Sequence, residues 1–248
     1  MIPKVIHYCW FGRNPLPELA LKCIASWKKF FPDYEIIEWN EDNFDVNIIP
    51  YTQQAYSAKK YAFVSDYVRF WVLYKFGGLY FDTDVEVIKP IDDIISRGPF
   101  MGIEVYSENQ IPLVAPGLGL GAGPGLNVYK DILDYYQKME FLNNEGKLNE
   151  ITVVRHTTGI LSQYGLCASK GIQQVADVWI YPAEYFNPLD SLTGKLKLTE
   201  NTRSVHWYMN SWSDKSKLYH YLSKISHRLF GMSIHKFKLL LTKLINRL

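Results

Sequence analysis

The chain has 248 residues, 48% of them apolar and 21% charged, which excludes wholesale disorder and predicts one large folded domain or a domain with an appendage. A chain of this length buries roughly 70–75% of its unfolded surface and needs no covalent staple, and Cys9, Cys23 and Cys167 are too irregularly spaced for a zinc knuckle or a disulfide framework. The net charge of +2 is uneven: residues 215–248 hold eight Lys and Arg and no acid, leaving residues 1–214 with 19 basic against 25 acidic residues, a net of −6, which argues against a nucleic-acid-binding enzyme body.

The opening MIPKVIHYCWFGRNP turns polar too quickly for a secretory signal, and no stretch reaches the roughly 18–20 apolar residues of a membrane span. The expectation is a chain that is neither secreted nor inserted in a membrane. Lys4 to Phe11 reads as a buried strand ended by Gly12, Asn14 and Pro15. Leu19, Ile24, Trp27, Phe30 and Phe31 give residues 18–30 a helical period, and Tyr34 to Trp39 reads as a second strand. Strand, helix, strand is the start of an α/β sheet. One helix is predicted over 53–76, about 36 Å long, stopped by Gly77 and Gly78. Leu79 to Val87 reads as a single strand. Residues 112–125 hold five glycines and read as a loop or a flexible strand, a loop there bringing bare backbone close to the sugars. A helix over 127–141, a strand from Val175 to Tyr181, an aromatic loop from Tyr181 to Pro188 and a last strand from Arg203 to Tyr208 complete the reading.

GGLYFDTDVEVI carries the most chemistry. If it is a strand, Asp82 and Asp84 point the same way and repel unless something positive lies between them. A hard divalent cation with positions left for phosphate oxygens satisfies that demand; two solvated aspartates at a strand edge are the plainer alternative. The preceding helix is apolar nearly all round, yet it sets Asp66 and Arg69 one turn apart. Two buried ions are costly unless paired. They either satisfy each other or hold sugar hydroxyls and negative oxygens.

IPKVIHYCWFG followed by KKYAFVSDYVRFWVLYKFGGLYFDTDVEV resembles the DxD-containing sugar-transferase region of glycosyltransferase family 32, most strongly over residues 2–90. The resemblance implies a GT-A type fold: a Rossmann-like mixed α/β sheet flanked by helices. It further implies retention of anomeric configuration, a nucleotide-sugar donor, most often a UDP-sugar, and Mn²⁺ or Mg²⁺. It places Tyr8 and Trp10 at the donor base, Asp66 and Arg69 on ribose and donor sugar, and Asp82 and Asp84 at the metal, with Asp84 the more direct ligand. HWYMNSW, residues 206–212, resembles the loop that closes over the diphosphate, with His206 as a third metal ligand and Asn210 and Trp212 as caps. Thr157 to Gly159 resembles an element on the acceptor side. Glu104 is a conceivable carboxylate nucleophile without an assigned place.

Within 214–248, Leu218, Tyr221, Leu222, Ile225 and Leu229, then Ile234, Phe237, Leu240, Leu241, Leu244, Ile245 and Leu248, recur at helical spacing among the basic residues. Residues 1–213 are read as the catalytic domain and 214–248 as a basic amphipathic tail. Such a tail lies on anionic membranes, with about 1 kcal/mol from each Lys or Arg, packs back on the body, or meets a partner. The expected enzyme moves a hexose to a lipid-linked oligosaccharide of bacterial capsule or O-antigen, peripherally on the cytoplasmic face of the plasma membrane. The alternatives are a haloacid-dehalogenase-like phosphotransferase using LYFDTD, and a carbohydrate-binding module.

Overall fold

A computed structural model describes residues 1–106, 111–143 and 145–209. The basic tail, Asn210 and Trp212 lie outside the described residues. In chain order the elements are β1 (Val5–Cys9), α1 (Glu18–Phe30), β2 (Glu35–Trp39), α2 (Pro50–Ser57), α3 (Tyr61–Phe76), β3 (Gly78–Tyr80), β4 (Val85–Val87), α4 (Asp92–Arg97) and β5 (Phe100–Tyr106). They continue with β6 (Pro112–Ala115), β7 (Leu120–Ala122), α5 (Asn127–Gln137), α6 (Val153–Gln163), β8 (Gln173–Val175), β9 (Val178–Tyr181), α7 (Ala183–Phe186) and β10 (Ser204–His206).

The described residues form an eight-stranded mixed sheet in the order β2-β1-β3-β7-β5-β9-β8, with β6 on β5, and a separate ribbon of β4 and β10. The first three neighbours are parallel and β7 enters antiparallel. On one face Phe63, Tyr67 and Phe70 of α3 pack with Tyr129, Ile132 and Tyr136 of α5. On the other face Trp27 of α1 packs with Ile6, Leu79, Phe81, Phe100 and Phe186. The result is a three-layer sandwich. Among the described residues no helix is long and apolar enough to cross a membrane.

The first strand–helix–strand unit follows its sequence pattern. Helix α1 begins after Pro17, carries Glu18 in its first turn and Lys28 and Lys29 in its last, as the helix dipole favours. It buries Ala20, Cys23, Ile24 and Trp27. The Trp27 indole donates to the Val85 carbonyl at 2.8 Å and so ties α1 to β4.

Four elements differ from the sequence reading, and the glycine-rich run takes its strand alternative over part of its length. The helix expected over 53–76 is two helices, because Lys59 is left-handed (φ 58°), with Lys59 N–H on Tyr56 O and Lys60 N–H on Ala55 O, both at 2.9 Å. This is a Schellman stop built on lysine in place of glycine. The strand expected over 79–87 breaks at the acidic pair: Val85 N–H closes a turn on Asp82 O at 3.0 Å, and β4 leaves the main sheet to pair with β10. The stretch 175–181 is a hairpin, β8–β9, turned by Ala176 and Asp177, both with positive φ. The glycine-rich run contains β7, a central strand of the sheet. The aromatic loop after Tyr181 also holds the short helix α7.

Gly121 explains why β7 is glycine-rich. It pairs with Phe100, and a Cβ there would stand 2.2 Å from the Phe100 ring. Gly121→Ala is expected to destabilise the fold by about 1–3 kcal/mol through overpacking. Gly159→Ala, in α6 with no neighbour within 4 Å of the new methyl, should instead gain up to about 1 kcal/mol of helix propensity. Urea unfolding midpoints of the two variants, moving in opposite directions, check the packing.

Candidate active site

The C-terminal ends of β1 and β3 open into a cleft of about 510 Å³, the place where ligands enter open α/β sheets. Its walls come from the end of β1, the α2–α3 junction, α3, the Asp82–Asp84 turn, β5, the N-terminus of α6 and the segment after β10.

Around β1, the residues that reach the cleft are those at and just beyond its end. Cys9 and Trp10 line it; Trp10 donates its indole N–H to Asn14 O at 2.6 Å, which fixes the ring at the mouth. Tyr8 does not line the cleft. It turns to the α1 side, with its ring 5.7 Å from that of Trp27 and its hydroxyl donating to Glu38 at 2.7 Å.

Arg69 is the centre of the polar wall. Its side chain is 4% exposed. Nη2 lies 2.9 Å from Asp66 Oδ1 and 3.3 Å from Asp82 Oδ1, and Nη1 lies 3.4 Å from Asp82 Oδ2. Nε donates back to Ser65 O, one helical turn earlier, and the guanidinium lies over the Tyr80 ring at 5.1 Å. Tyr80 also donates its hydroxyl to Asp82 Oδ1 at 3.1 Å. One cation therefore serves two carboxylates. Burial drives the Asp66 pKa up, and Arg69 opposes that rise while Asp82 adds to it. Arg69 is itself buried, but Asp82 first and then its other neighbours hold it firmly charged.

Gly117 lets Asp82 come this close. A Cβ at 117 would stand 1.8 Å from Asp82 Oδ2, and Gly117 O accepts the Asp82 N–H at 3.0 Å. This is the one point where the glycine-rich run meets the polar wall.

Asp84 has a separate partner. Val85 pairs with His206 at the end of the β4–β10 ribbon, which brings the turn residue Asp84 beside that imidazole. His206 Nε2 is 3.1 Å from Asp84 Oδ1, and Met209 N–H donates to Asp84 Oδ2 at 2.7 Å. Burial disfavours both charges, but the pair overcomes it: the Asp84 pKa is lowered and that of His206 is raised. Tyr208, left-handed at φ 51°, places its ring 4.2 Å from that of His206. Its hydroxyl lies 3.3 Å from Glu104 Oε1 and accepts from Asn187 at 2.7 Å. Glu104 thus has a place on the cleft wall, and burial raises its pKa against the pull of His206 and Tyr208.

The acidic pair is brought to the cleft by a turn, not by strand alternation, and each carboxylate already has its own positive neighbour. Among the described residues no group of three or more His, Cys, Asp or Glu side chains is arranged to hold a metal ion. Two donors nevertheless fit one. Asp84 and His206 adjoin, and the buried His206 Nδ1 has no hydrogen-bond partner among the described residues. A carboxylate and an imidazole suit a divalent ion whose other positions belong to substrate phosphate oxygens. Asp82 is held by Arg69 and Tyr80 beside them.

Thr157, Thr158 and Gly159 lie inside α6, away from the cleft lining, where Thr158 Oγ1 accepts the Val114 N–H at 2.9 Å. The sequence reading missed Gly117, Tyr208 and the Lys59–Lys60 corner. A signal existed for the last, in two lysines standing directly before the apolar helix.

The Asp84–His206 pair has a pH signature. The raised His206 pKa makes its contribution complete below its unfolded value of about 6.5, and lost as pH rises through the folded value. The lowered Asp84 pKa makes its contribution complete above about 3.9, and lost as pH falls through the folded value. An Asp84→Ala/His206→Ala double-mutant cycle in EDTA should therefore give a larger coupling energy at about pH 5.5 than above pH 9. Equal coupling at both would contradict the ionic pair.

Residues 17–101 match the family described as the glycosyltransferase sugar-binding region containing a DXD motif. The chain is 33% identical over 98 residues to inositol phosphoceramide mannosyltransferase 3 of Schizosaccharomyces pombe, covering 38% of this chain and 27% of that protein. It is 26% identical over 185 residues to the initiation-specific alpha-1,6-mannosyltransferase of Candida albicans, covering 65% of this chain and 46% of that protein. The aligned segment spans about a quarter of the first relative and under half of the second. Among solved structures, a glycosyltransferase involved in glycosylation of the major capsid of PBCV-1 superposes with TM-score 0.51 at 11% identity, over 84% of this chain and 95% of that one. The acidic turn and the Asp66–Arg69 helix thus fall in a region similar to the DXD-type sugar-binding region, on a GT-A type fold.

Proposed function

We propose that the cleft transfers a hexose from a nucleotide sugar to a hydroxyl of a lipid-borne acceptor, with Mn²⁺ or Mg²⁺ and with retention of anomeric configuration. One observation carries the reading: a buried guanidinium bridging Asp66 and Asp82, inside the segment that matches the DXD description, with Asp84 of the same segment paired to His206 from beyond it. The relatives' names support sugar transfer, mannosyl transfer first, and the inositol phosphoceramide of one name supports a lipid-borne hydroxyl. Those relatives are fungal. A bacterial capsule or O-antigen setting on the cytoplasmic membrane face rests on the motif resemblance and the basic tail alone.

The parts divide the work as follows. Trp10 stacks beneath the donor base at the mouth. Asp84 and His206 would hold the metal, which would supply charge neutralisation for the leaving diphosphate. Arg69 keeps Asp82 fixed and presents positive charge to the phosphate side of the cleft, preorganised and dry. The acceptor hydroxyl attacks the anomeric carbon from the face the phosphate leaves. The carbon–oxygen bond to phosphate breaks, and the hydroxyl proton passes to the departing phosphate oxygen. That route assigns Glu104 no proton. A phosphotransferase would need Asp82 as a free nucleophile, yet Arg69 and Tyr80 engage both of its oxygens. A carbohydrate-binding module would consume no donor.

A panel of UDP- and GDP-hexoses with manganese tests the reading. Asp84→Asn, or excess EDTA, is expected to lower donor turnover about 10²–10³-fold, and undiminished turnover in both would refute it. Glu104→Gln should stay within about tenfold of the parent; a loss as steep as that of Asp84→Asn would make Glu104 a nucleophile and the reaction two-step. Gly117→Ala, by pushing Asp82 off Arg69, should cost about 10²-fold in turnover per folded molecule and lower the melting temperature as well.

A further inference from the structure

Beside the cleft, residues 191–198 present a surface that the transfer reaction does not use. Leu192, Leu196 and Leu198 are 58%, 44% and 55% exposed, and the exposed Lys195 and Lys197 alternate with the last two. The stretch contains no acid. Exposed leucines this close together in a small loop mark a contact surface.

The loop is built to hold them out. Leu189 and Leu196 form an antiparallel bridge. Asp190 N–H donates to Lys195 O at 3.0 Å, Gly194 N–H to Asp190 O at 2.7 Å, and Lys197 N–H to Pro188 O at 3.0 Å. The Asp190 carboxylate accepts the N–H groups of Leu192 and Thr193. Lys89 clamps the base through the carbonyls of Thr199 and Glu200. Most of the loop's backbone N–H groups, which would resist leaving water, are thereby satisfied inside the protein.

We propose that loop 190–198 docks on an anionic lipid bilayer, with Leu192, Leu196 and Leu198 entering the boundary between headgroups and acyl chains and Lys195 and Lys197 meeting the lipid phosphates. Apolar side chains interleaved with lysine are complementary to that surface, and Asp190, the one acid of the loop, is engaged by the Leu192 and Thr193 N–H groups. Ser191 of the same turn lines the cleft, so docking there sets the cleft mouth against the membrane. The link to a lipid-borne acceptor rests on the proposed function; the docking itself rests on the loop.

The test uses the full chain with Cys167, the exposed cysteine, replaced by serine. An environment-sensitive fluorophore is placed on Leu196→Cys and, as a control, on Gln53→Cys in α2. Vesicles of equimolar phosphatidylserine and phosphatidylcholine should blue-shift the probe at 196 and leave that at 53 unchanged, and pure phosphatidylcholine should do markedly less. A silent probe at 196 overturns the proposal, whether or not the chain sediments with vesicles. The full-chain variant Leu192→Ser/Leu196→Ser/Leu198→Ser should sediment with anionic vesicles at least about tenfold more weakly while turning over soluble donor as before. Unchanged sedimentation, as expected of a loop that serves a protein partner, also overturns it. Vesicle binding without any donor turnover would instead refute the transferase reading and leave the docking loop standing.

Discussion

The site is organised by a charge deficit. Arg69 is one cation set against two carboxylates, Asp66 on its own helix and Asp82 on the following turn. In an interior this dry, removing the guanidinium would leave uncompensated negative charge worth about 3–5 kcal/mol, so the helix, the turn and the strand between them are tied to one another. The aromatic ring of Tyr80 and the bare backbone of Gly117 close around the same contact. Burial raises the Asp66 pKa and so relieves part of that deficit, which leaves Arg69 positive charge to present on this wall.

Much of this was legible in the sequence, for a definite reason. A helix that is apolar on every side has no solvated face, so Asp66 and Arg69 had to be buried and had to be paired. The pattern around α1 and the first two strands was equally plain, because apolar period and breaker residues agreed. The misreadings share another cause: a backbone conformation adopted by a residue that does not advertise it. Lys59 occupies a left-handed stop that glycine usually takes, so α2 and α3 ran together as one periodic segment. Ala176 and Asp177 turn a hairpin that Asn-Gly usually turns. Gly121 left a loop and a strand both open, although its missing side chain makes room for Phe100 on the neighbouring strand. In each case tertiary packing overrode local preference.

The break in the acidic strand has the largest consequence. Had residues 79–87 stayed in the main sheet, Asp82 and Asp84 would have shared a face and a single counter-charge. Because β4 departs to pair with β10, Asp84 is delivered to His206 and Asp82 stays with Arg69. Trp207 secures the departing segment by donating to Glu86, which also takes the Lys22 ammonium. Tyr208 then folds back over the imidazole and reaches Glu104. A short ribbon outside the main sheet thus carries half of the polar wall.

This division decides which aspartate can bind a metal. A ligand must offer a lone pair that no cation already claims. Both oxygens of Asp82 face the guanidinium or the Tyr80 hydroxyl, and drawing them toward a metal would strip Arg69 of its main counter-charge. Asp84 would give up less: its neighbour is an imidazolium, which could lose its Nε2 proton and stay beside the carboxylate as a second ligand through that same nitrogen. Metal entry at Asp84 and His206 would therefore exchange one proton for one ion, whereas entry at Asp82 would have to displace an arginine that cannot be neutralised.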